Sequence, residues 1–334
     1  MNVAIIGASG YTGLELIKIL INHPKFNISY IANSTGDENV QDLHPCLKGV
    51  IDVEVSKADA KEVAKVADLA FLALPHKTSM FFAKELLELG VKVVDLSADY
   101  RLKLETYEKH YCPHEDKENI KNAVYGLPEY YKNEIKNAKL VANPGCYPTA
   151  SLLALLPFID FIEEGTPIFI DAKSGVSGAG KKLSEVAHFV NLNENHHAYN
   201  PFKHRHMPEI EEKINLLKDK DFQINFVPHL LPVTRGMLVS VYATLKDEVD
   251  VEQILEETYS GSEFVRIRKT PVDLKSTAGT NFCDIFVARN GKALFVNSSI
   301  DNLLRGASSQ AVVNANIMCG YEEYEGIPKI AYVP

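Results

Sequence analysis

The feature that most restricts the fold stands at the head of the chain. Val3-Ala4-Ile5-Ile6 is a short apolar β-forming run that leads directly into Gly7-Ala8-Ser9-Gly10-Tyr11-Thr12-Gly13, after which Leu14, Leu16, Ile17, Leu20 and Ile21 recur at helical spacing. Strand, glycine turn and helix in that order open a doubly wound α/β unit. Glycines spaced G-x-x-G-x-x-G permit a tight turn and let the backbone approach a pyrophosphate, whose charge faces the positive end of the helix. A glycine triplet alone is compatible with a merely structural turn. Its position at the start of an alternating chain favours a bound dinucleotide.

The alternation continues. Residues 28–32, 69–74 and 91–96 read as strands, with helical patterns at 59–67 and 80–89, which predicts a parallel sheet with right-handed crossovers. Residues 100–139 break this rhythm, are rich in Tyr, His, Lys and Glu, and are expected to be irregular surface. A buried strand at 140–142 and a buried helix at 149–159 follow. The pattern then changes to strands at 168–171, 224–227, 237–245 and 264–267, and to a hairpin of 282–288 with 293–297 closed by Arg289-Asn290-Gly291-Lys292. Helices near 209–217 and 251–259 accompany them, predicting a mixed or antiparallel sheet with helices on one face. Residues 305–318 read as a final helix whose small residues suit packing back on the first domain.

Bulk properties narrow the function. At 334 residues and 46% apolar content there is room for two domains. With 44 acids against 35 bases the formal charge is −9, so no basic field draws nucleic acid or an anionic membrane, and an anionic ligand must be gripped locally. No stretch approaches the ~20 apolar residues that span a bilayer. No basic leader precedes an apolar run, so a soluble cytoplasmic protein is expected. The five cysteines (46, 112, 146, 283, 319) are odd in number and lack any Cys-x-x-Cys, which suits a reducing compartment and not a disulfide framework or a structural zinc site.

Two segments carry chemistry. In Asn143-Pro144-Gly145-Cys146-Tyr147-Pro148-Thr149, Pro148 starts the coming helix well and Cys146 lies just before its N-terminus. There the aligned peptide dipoles favour a thiolate and draw the thiol below its free pKa of ~8.5. Cys146 is therefore either a nucleophile or a small buried hydrophobe. In His204-Arg205-His206-Met207-Pro208-Glu209-Ile210, Pro208 as a first helical residue leaves both histidines in extended chain, on the same side. A thiol beside a nicotinamide site suggests thioester chemistry: sulfur attacks an acyl phosphate, phosphate leaves, hydride reduces the thioester, and an imidazole holds and releases the proton of the thiohemiacetal oxygen. The rivals are a pair of surface histidines, or a metal site built from His196, His197, His204 and His206. Arg205 and the lack of a carboxylate or cysteine at ligand spacing speak against the metal, and none is expected.

At the end of the second strand an NAD site wants an acid to take both ribose hydroxyls. Asn33-Ser34-Thr35 stand there instead, which permits NADP without an arginine to demand it.

These motifs, with Ser174-Gly175-Val176-Ser177-Gly178-Ala179-Gly180 and His229-Leu230-Leu231-Pro232-Val233-Thr234-Arg235-Gly236, closely resemble those of the N-acetyl-γ-glutamyl-phosphate reductases, relatives of the aspartate-semialdehyde dehydrogenases, from the first strand to the final helix and in the same order. The resemblance implies a fold of class α/β + α+β: a Rossmann NADP-binding domain (1–147 plus 305–334) and a dehydrogenase-type mixed-sheet domain (148–304) for catalysis and oligomerisation. It implies NADPH-dependent reduction of N-acetyl-γ-glutamyl phosphate to the 5-semialdehyde in arginine biosynthesis, by a homo-oligomer, dimer or tetramer, of a free small-molecule substrate.

Carried over by position, Cys146 is the acylated nucleophile, His206 the acid/base and His204 a substrate contact, with the two histidine roles open to exchange. Ser174, Gly175, Ser177 and Gly178 would bind phosphate or substrate, and Arg235 would fork onto a carboxylate or phosphate unless it serves a surface ion pair. Gly7, Ser9, Gly10, Tyr11, Thr12, Gly13 and Ser34 would hold the cofactor. Asn302 would lie near the nicotinamide, a helix N-cap being the alternative. Residues 94–99 match as well, at the carboxyl end of a strand where open α/β sheets bind ligands. Sister reductases of aspartyl phosphate or of carrier-linked aminoadipyl or glutamyl phosphate share these parts. A non-catalytic NADP-binding redox sensor shares only some of them.

Overall fold

A computed structural model describes residues 1–218 and 222–332. The backbone divides into two compact units, Met1–Gly145 with Ala307–Pro328, and Cys146–Gly306 with the residues from Lys329 on. Those last residues join the second unit, where Lys329 pairs with Glu263 and Tyr332 covers Gly279, instead of following the final helix into the first.

The strands of the first unit are β1 (Asn2–Ile6), β2 (Asn27–Asn33), β3 (Glu38–Asn39), β4 (Glu54–Lys57), β5 (Leu69–Leu72), β6 (Lys92–Asp95), β7 (Val124–Tyr125) and β8 (Leu140–Ala142). They form one sheet in the order β3-β4-β2-β1-β5-β6-β8-β7, parallel except where β3 meets β4. Val3 to Ile6 and Leu69 to Leu72 are wholly buried, because helices cover both faces of a parallel sheet. On one side Tyr11–Ile21 packs beside Ser308–Met318, which packs beside Pro128–Asn137; elsewhere Ala60–Val66 packs beside Ser79–Glu88. β1 has β2 on one side and β5 on the other, so the chain reverses direction across it, and the glycine turn leaves from its carboxyl end.

Two expectations are corrected here. Residues 100–139 are not irregular surface: they form helices Leu104–His110 and Pro128–Asn137 and strand β7, and bury Tyr100, Leu102, Tyr107, Ile120 and Leu127. The segment reads as polar because its core rings carry hydroxyls and nitrogens, and these find buried partners. Tyr107 donates to Asp99 at 2.8 Å, Tyr100 to Asp116 at 2.7 Å, and a His114 ring nitrogen meets the Asp99 carbonyl at 2.8 Å. The final helix begins at Ser308 and not at residue 305, since Asp301 takes the Leu303 and Leu304 N–H groups into a separate turn and Ala307 is the non-helical cap.

The strands of the second unit are β9 (Ile168–Gly175), β10 (His197–Ala198), β11 (Ile224–Leu231), β12 (Met237–Thr244), β13 (Val265–Ile267), β14 (Cys283–Asn290) and β15 (Ala293–Ile300). They form a mixed sheet, β10-β11-β9-β12-β15-β14-β13. The β14–β15 hairpin turns at Gly291, whose φ of +55° explains the glycine. Along β9, Ile168, Ile170 and Ala172 are fully buried while Phe169 is 48% exposed. That alternation marks one face packed under helices Cys146–Leu155, Met207–Lys218 and Val251–Thr258 and one face left open.

Candidate active site

Cys146 is the first residue of the helix Cys146–Leu155 and is half-buried. The thiol therefore sits in the first turn, where unpaired backbone N–H groups and the helix dipole favour negative charge. The rest of the helix is buried on every side, so packing holds this end in place. Gly306 approaches from the other direction: a Cβ there would lie 2.6 Å from Cys146 Cβ and 2.6 Å from the Asn302 carbonyl oxygen.

The thiol opens onto a cavity of about 450 Å³ within the second unit, lined also by Tyr147, Ser174, Gly178, Ala179, Tyr199, Lys203, His204, Arg205 and His206. His204 and His206 are 9% and 7% exposed, with rings 4.9 Å apart. His204 Nδ1 accepts the His206 backbone N–H at 3.2 Å. Burial, and secondarily the charge of Arg205, lowers the His204 pKa to about 4, so this imidazole is neutral at pH 7. The Tyr147 ring stands edge-on to both histidines, at 5.4 and 5.9 Å. Its hydroxyl lies 3.1 Å from that of Tyr199, and burial pushes the Tyr199 pKa up to about 12. Both phenols are thus protonated donors at neutral pH.

Of the small-residue run, Ser174 and Gly175 are the last residues of β9 and residues 176–179 form a 3-10 turn. The N–H groups of Gly175, Val176 and Ser177 go to the carbonyls of Gly236, Val233 and Thr234. A Cβ on Gly175 would come within 2.9 Å of the Thr234 and Arg235 backbone. Gly175 and Ser177 therefore fasten the turn, while Ser174, Gly178 and Ala179 line the cavity. Asn302 is part of the same fastening: it donates to Ser177 Oγ at 2.9 Å and accepts the Gly236 N–H at 2.8 Å. It is not a helix N-cap. Arg235 pairs with the buried Asp301 at 3.2 Å and is not among the residues lining the cavity. Tyr147, Tyr199 and Lys203 were given no role from the sequence, and Arg205 was read only as a charge that opposes a metal; for Lys203 and Arg205 the available signal was their alternation with the two histidines.

In the first unit the glycine turn has the shape an anion site needs. Gly7 has φ +98° and a Cβ there would strike the Ala73 carbonyl at 2.2 Å; one on Gly13 would lie 2.5 Å from the Gly7 carbonyl. Gly10 caps the helix Tyr11–Ile21 with no side chain, which leaves the N–H groups of Tyr11, Thr12 and Gly13 without a side-chain cap from it. Ser9 lies in the turn. Ala8 is pinned by His44, whose Nε2 lies 2.7 Å from its carbonyl. These residues fit a pyrophosphate. At the end of β2, Asn33 Oδ1 accepts the Thr35 and Gly36 N–H groups, shaping the loop that carries exposed Ser34. The sequence showed no acid there, yet the loop brings Glu38 back onto the Asn33 amide at 2.6 Å.

Residues 94–99 form a saturated network at the end of β6. Asp95 accepts from the hydroxyls of Ser79 and Ser97 and from Ser97 N–H, and Asp99 from the Lys77 and Met80 N–H groups. Arg101 donates to the carbonyls of Leu96 and Asn143, both at 2.7 Å. Among the described residues no group of three His, Cys, Asp or Glu is arranged to hold a metal, and no helix is long and apolar enough to cross a membrane.

Residues 2–138 match the semialdehyde dehydrogenase NAD binding domain, and residues 146–302 the semialdehyde dehydrogenase dimerisation domain. The chain is 62% identical to the N-acetyl-γ-glutamyl-phosphate reductase of Sulfurovum sp. over the full length of both. It is 58% identical to that of Sulfurimonas denitrificans, over all of this chain and 99% of the other. The chain belongs to the N-acetyl-γ-glutamyl-phosphate reductase family. It is accordingly an oxidoreductase with a Rossmann NAD(P)-binding domain and a mixed-sheet second domain. Aspartate semialdehyde dehydrogenase II from Vibrio cholerae shares the fold, with a TM-score of 0.73 at 19% identity over 96% of this chain and 98% of that one. So does the Candida albicans aspartate semialdehyde dehydrogenase solved with NADP, with a TM-score of 0.69 at 12% identity over 95% and 98% of the two chains.

Proposed function

We propose that this chain reduces N-acetyl-γ-glutamyl phosphate to N-acetylglutamate 5-semialdehyde with release of phosphate, through a thioester on Cys146, as a cytoplasmic step of arginine biosynthesis. The observation that carries this is a helix-terminal thiol and the imidazole of His206 on one cavity. The Cys146 thiolate attacks the acyl carbon, the C–O bond to phosphate breaks, and the thioester remains. NADPH, when bound, supplies the hydride. His206 gives a proton to the thiohemiacetal oxygen and takes it back as the C–S bond breaks to release aldehyde and thiolate. His204 is a poor base, with its pKa lowered and Nδ1 engaged by the His206 N–H, which supports its role as a substrate contact. Tyr199, as a protonated donor, suits the same oxygen.

The glycine turn, Ser9, Tyr11 and Thr12 would carry the pyrophosphate. Ser34 and Thr35 would donate to a 2′-phosphate, with Glu38 held by Asn33; the NADP in the Candida albicans relative supports that choice. Asn302 retains its carried-over place near the nicotinamide and Arg235 its place at the substrate as proposals, although the side-chain bonds of both favour bracing the site. The match to a dimerisation domain supports a homo-oligomer in which the open sheet face bearing Phe169, Tyr242 and Phe295 meets a second copy.

The test is phosphate-dependent reduction of NADP by N-acetylglutamate semialdehyde. Wild type should turn over, and Cys146→Ser should not while still binding NADP. A wild type active only on aspartate semialdehyde, or on no aldehyde at all, would refute the assignment.

A further inference from the structure

Resting on that reading, we propose that Arg205 and Lys203 are the residues that select the substrate by binding its α-carboxylate. The substrate carries two anionic groups with different needs. Phosphate leaves from the carbon that sulfur attacks, so its donors belong beside Cys146, where Ser174 and the Gly178–Ala179 backbone line the cavity. The carboxylate does not react, lies three carbons away, and must be held without hindering departure of phosphate.

The cavity offers a separate place for it. Lys203 and Arg205 bring full positive charge to the lining, and no carboxylate is among the lining residues, although the chain as a whole carries −9. Both side chains are exposed while the intervening His204 and His206 are buried: the segment is not the extended chain that its sequence suggests but a turn leading into the helix Met207–Lys218, and that turn holds the imidazoles inward and leaves the cations toward solvent. Arg205 and Cys146 line the same cavity, the guanidinium next to the two histidines in sequence and the thiol at its helix end. The cation first suggested by the sequence, Arg235, is not among the residues that line this cavity. A planar guanidinium suits a carboxylate through two parallel N–H donors, with lysine adding a point charge.

The experiment compares wild type, Arg205→Met, Arg205→Lys and the Lys203→Met/Arg205→Met double variant in the aldehyde-oxidising direction, on N-acetylglutamate semialdehyde and on its α-amide. Arg205→Met should raise KM for the carboxylate substrate about 10- to 100-fold, the worth of a charge-assisted hydrogen bond, with the loss carried by KM more than by kcat. Arg205→Lys should recover part of it, and the double variant should no longer distinguish acid from amide. A rise confined to the KM of phosphate, or unchanged discrimination in the double variant, overturns the proposal. Protection of Cys146 from iodoacetamide by N-acetylglutamate reads the same site without turnover. Protection weakened by Arg205→Met upholds the carboxylate site even if the enzyme proves to reduce another acyl phosphate, and protection unchanged in the double variant overturns it.

Discussion

Asp95 in the first unit and His204 in the second are both ionisable side chains buried close to ligand-binding ends of their sheets, yet their surroundings differ in kind. Asp95 is fully buried, and three donors from Ser79 and Ser97 converge on its two oxygens. His204 lies against a cavity, with aromatic rings on several sides and one ring nitrogen engaged by backbone. Burial shifts both toward their neutral forms, Asp95 upward to about 6 and His204 downward to about 4. The contrast separates a polar group that holds structure from one that is available to a ligand: the first has its hydrogen-bonding capacity filled by the protein, while the second faces open space. Predicted effects divide accordingly, stability on one side and turnover on the other.

The largest effect should come from His206→Ala, which is expected to lower the chemical step by roughly 10²- to 10⁴-fold with NADP affinity and melting temperature little changed. Single-turnover kinetics with a dye-monitored melt checks it, and a large loss of stability would place His206 among the structural groups. Next, Gly306→Ala should cost on the order of 10²-fold in kcat, because a methyl 2.6 Å from Cys146 Cβ must displace the nucleophile. A near-normal rate would show that the helix end yields easily.

Asp95→Ala should cost about 2 kcal/mol of stability by leaving buried serine donors without their acceptor, and Asp95→Asn should recover much of it. Chemical denaturation measures the difference. An activity loss as deep as that of His206→Ala, in a folded protein, would erase the division between the two regions.

The smallest effect is a pH dependence of opposite sign in the two units. The folded Asp95 pKa is raised, so the native state binds the extra proton between pH ~4 and ~6 and the destabilisation by its buried charge is relieved on acidification through that window. The folded His204 pKa is lowered, so the unfolded state binds the extra proton below pH ~6.5 and stability is lost as pH falls from there toward ~4. Each contributes at most about 1.4 kcal/mol per pH unit. Hydrogen exchange at pH 7 and pH 5 should show the second unit loosening relative to the first, and His204→Gln should remove that trend.

Much of the scaffold was legible in the residues. Strand–glycine–helix order, the 140–142 strand with the helix beyond it, and the Asn290-Gly291 hairpin are local, because periodicity and turn chemistry act between near neighbours. The misreadings arose where distant residues settle the outcome. Residues 100–139 look exposed until Asp99 and Asp116 are known to meet Tyr107 and Tyr100. Residue 305 looks helical until Asp301 is seen to draw the following amides into a turn of their own.

By itself, then, the sequence determined the two kinds of sheet, the glycines at the dinucleotide turn and the placing of Cys146 at a helix start, all consequences of steric and dipolar effects spanning a few residues. Tertiary structure decided which polar groups brace the fold and which stand on the cavity: Arg235 on Asp301 and Asn302 on Ser177 and Gly236, against Tyr199, Lys203 and Arg205 among the cavity's lining. A charged or amide side chain looks the same in sequence whether its partner is internal or external. Only packing, which brings residues 235 and 301 or 177 and 302 together, determines whether that partner is already present.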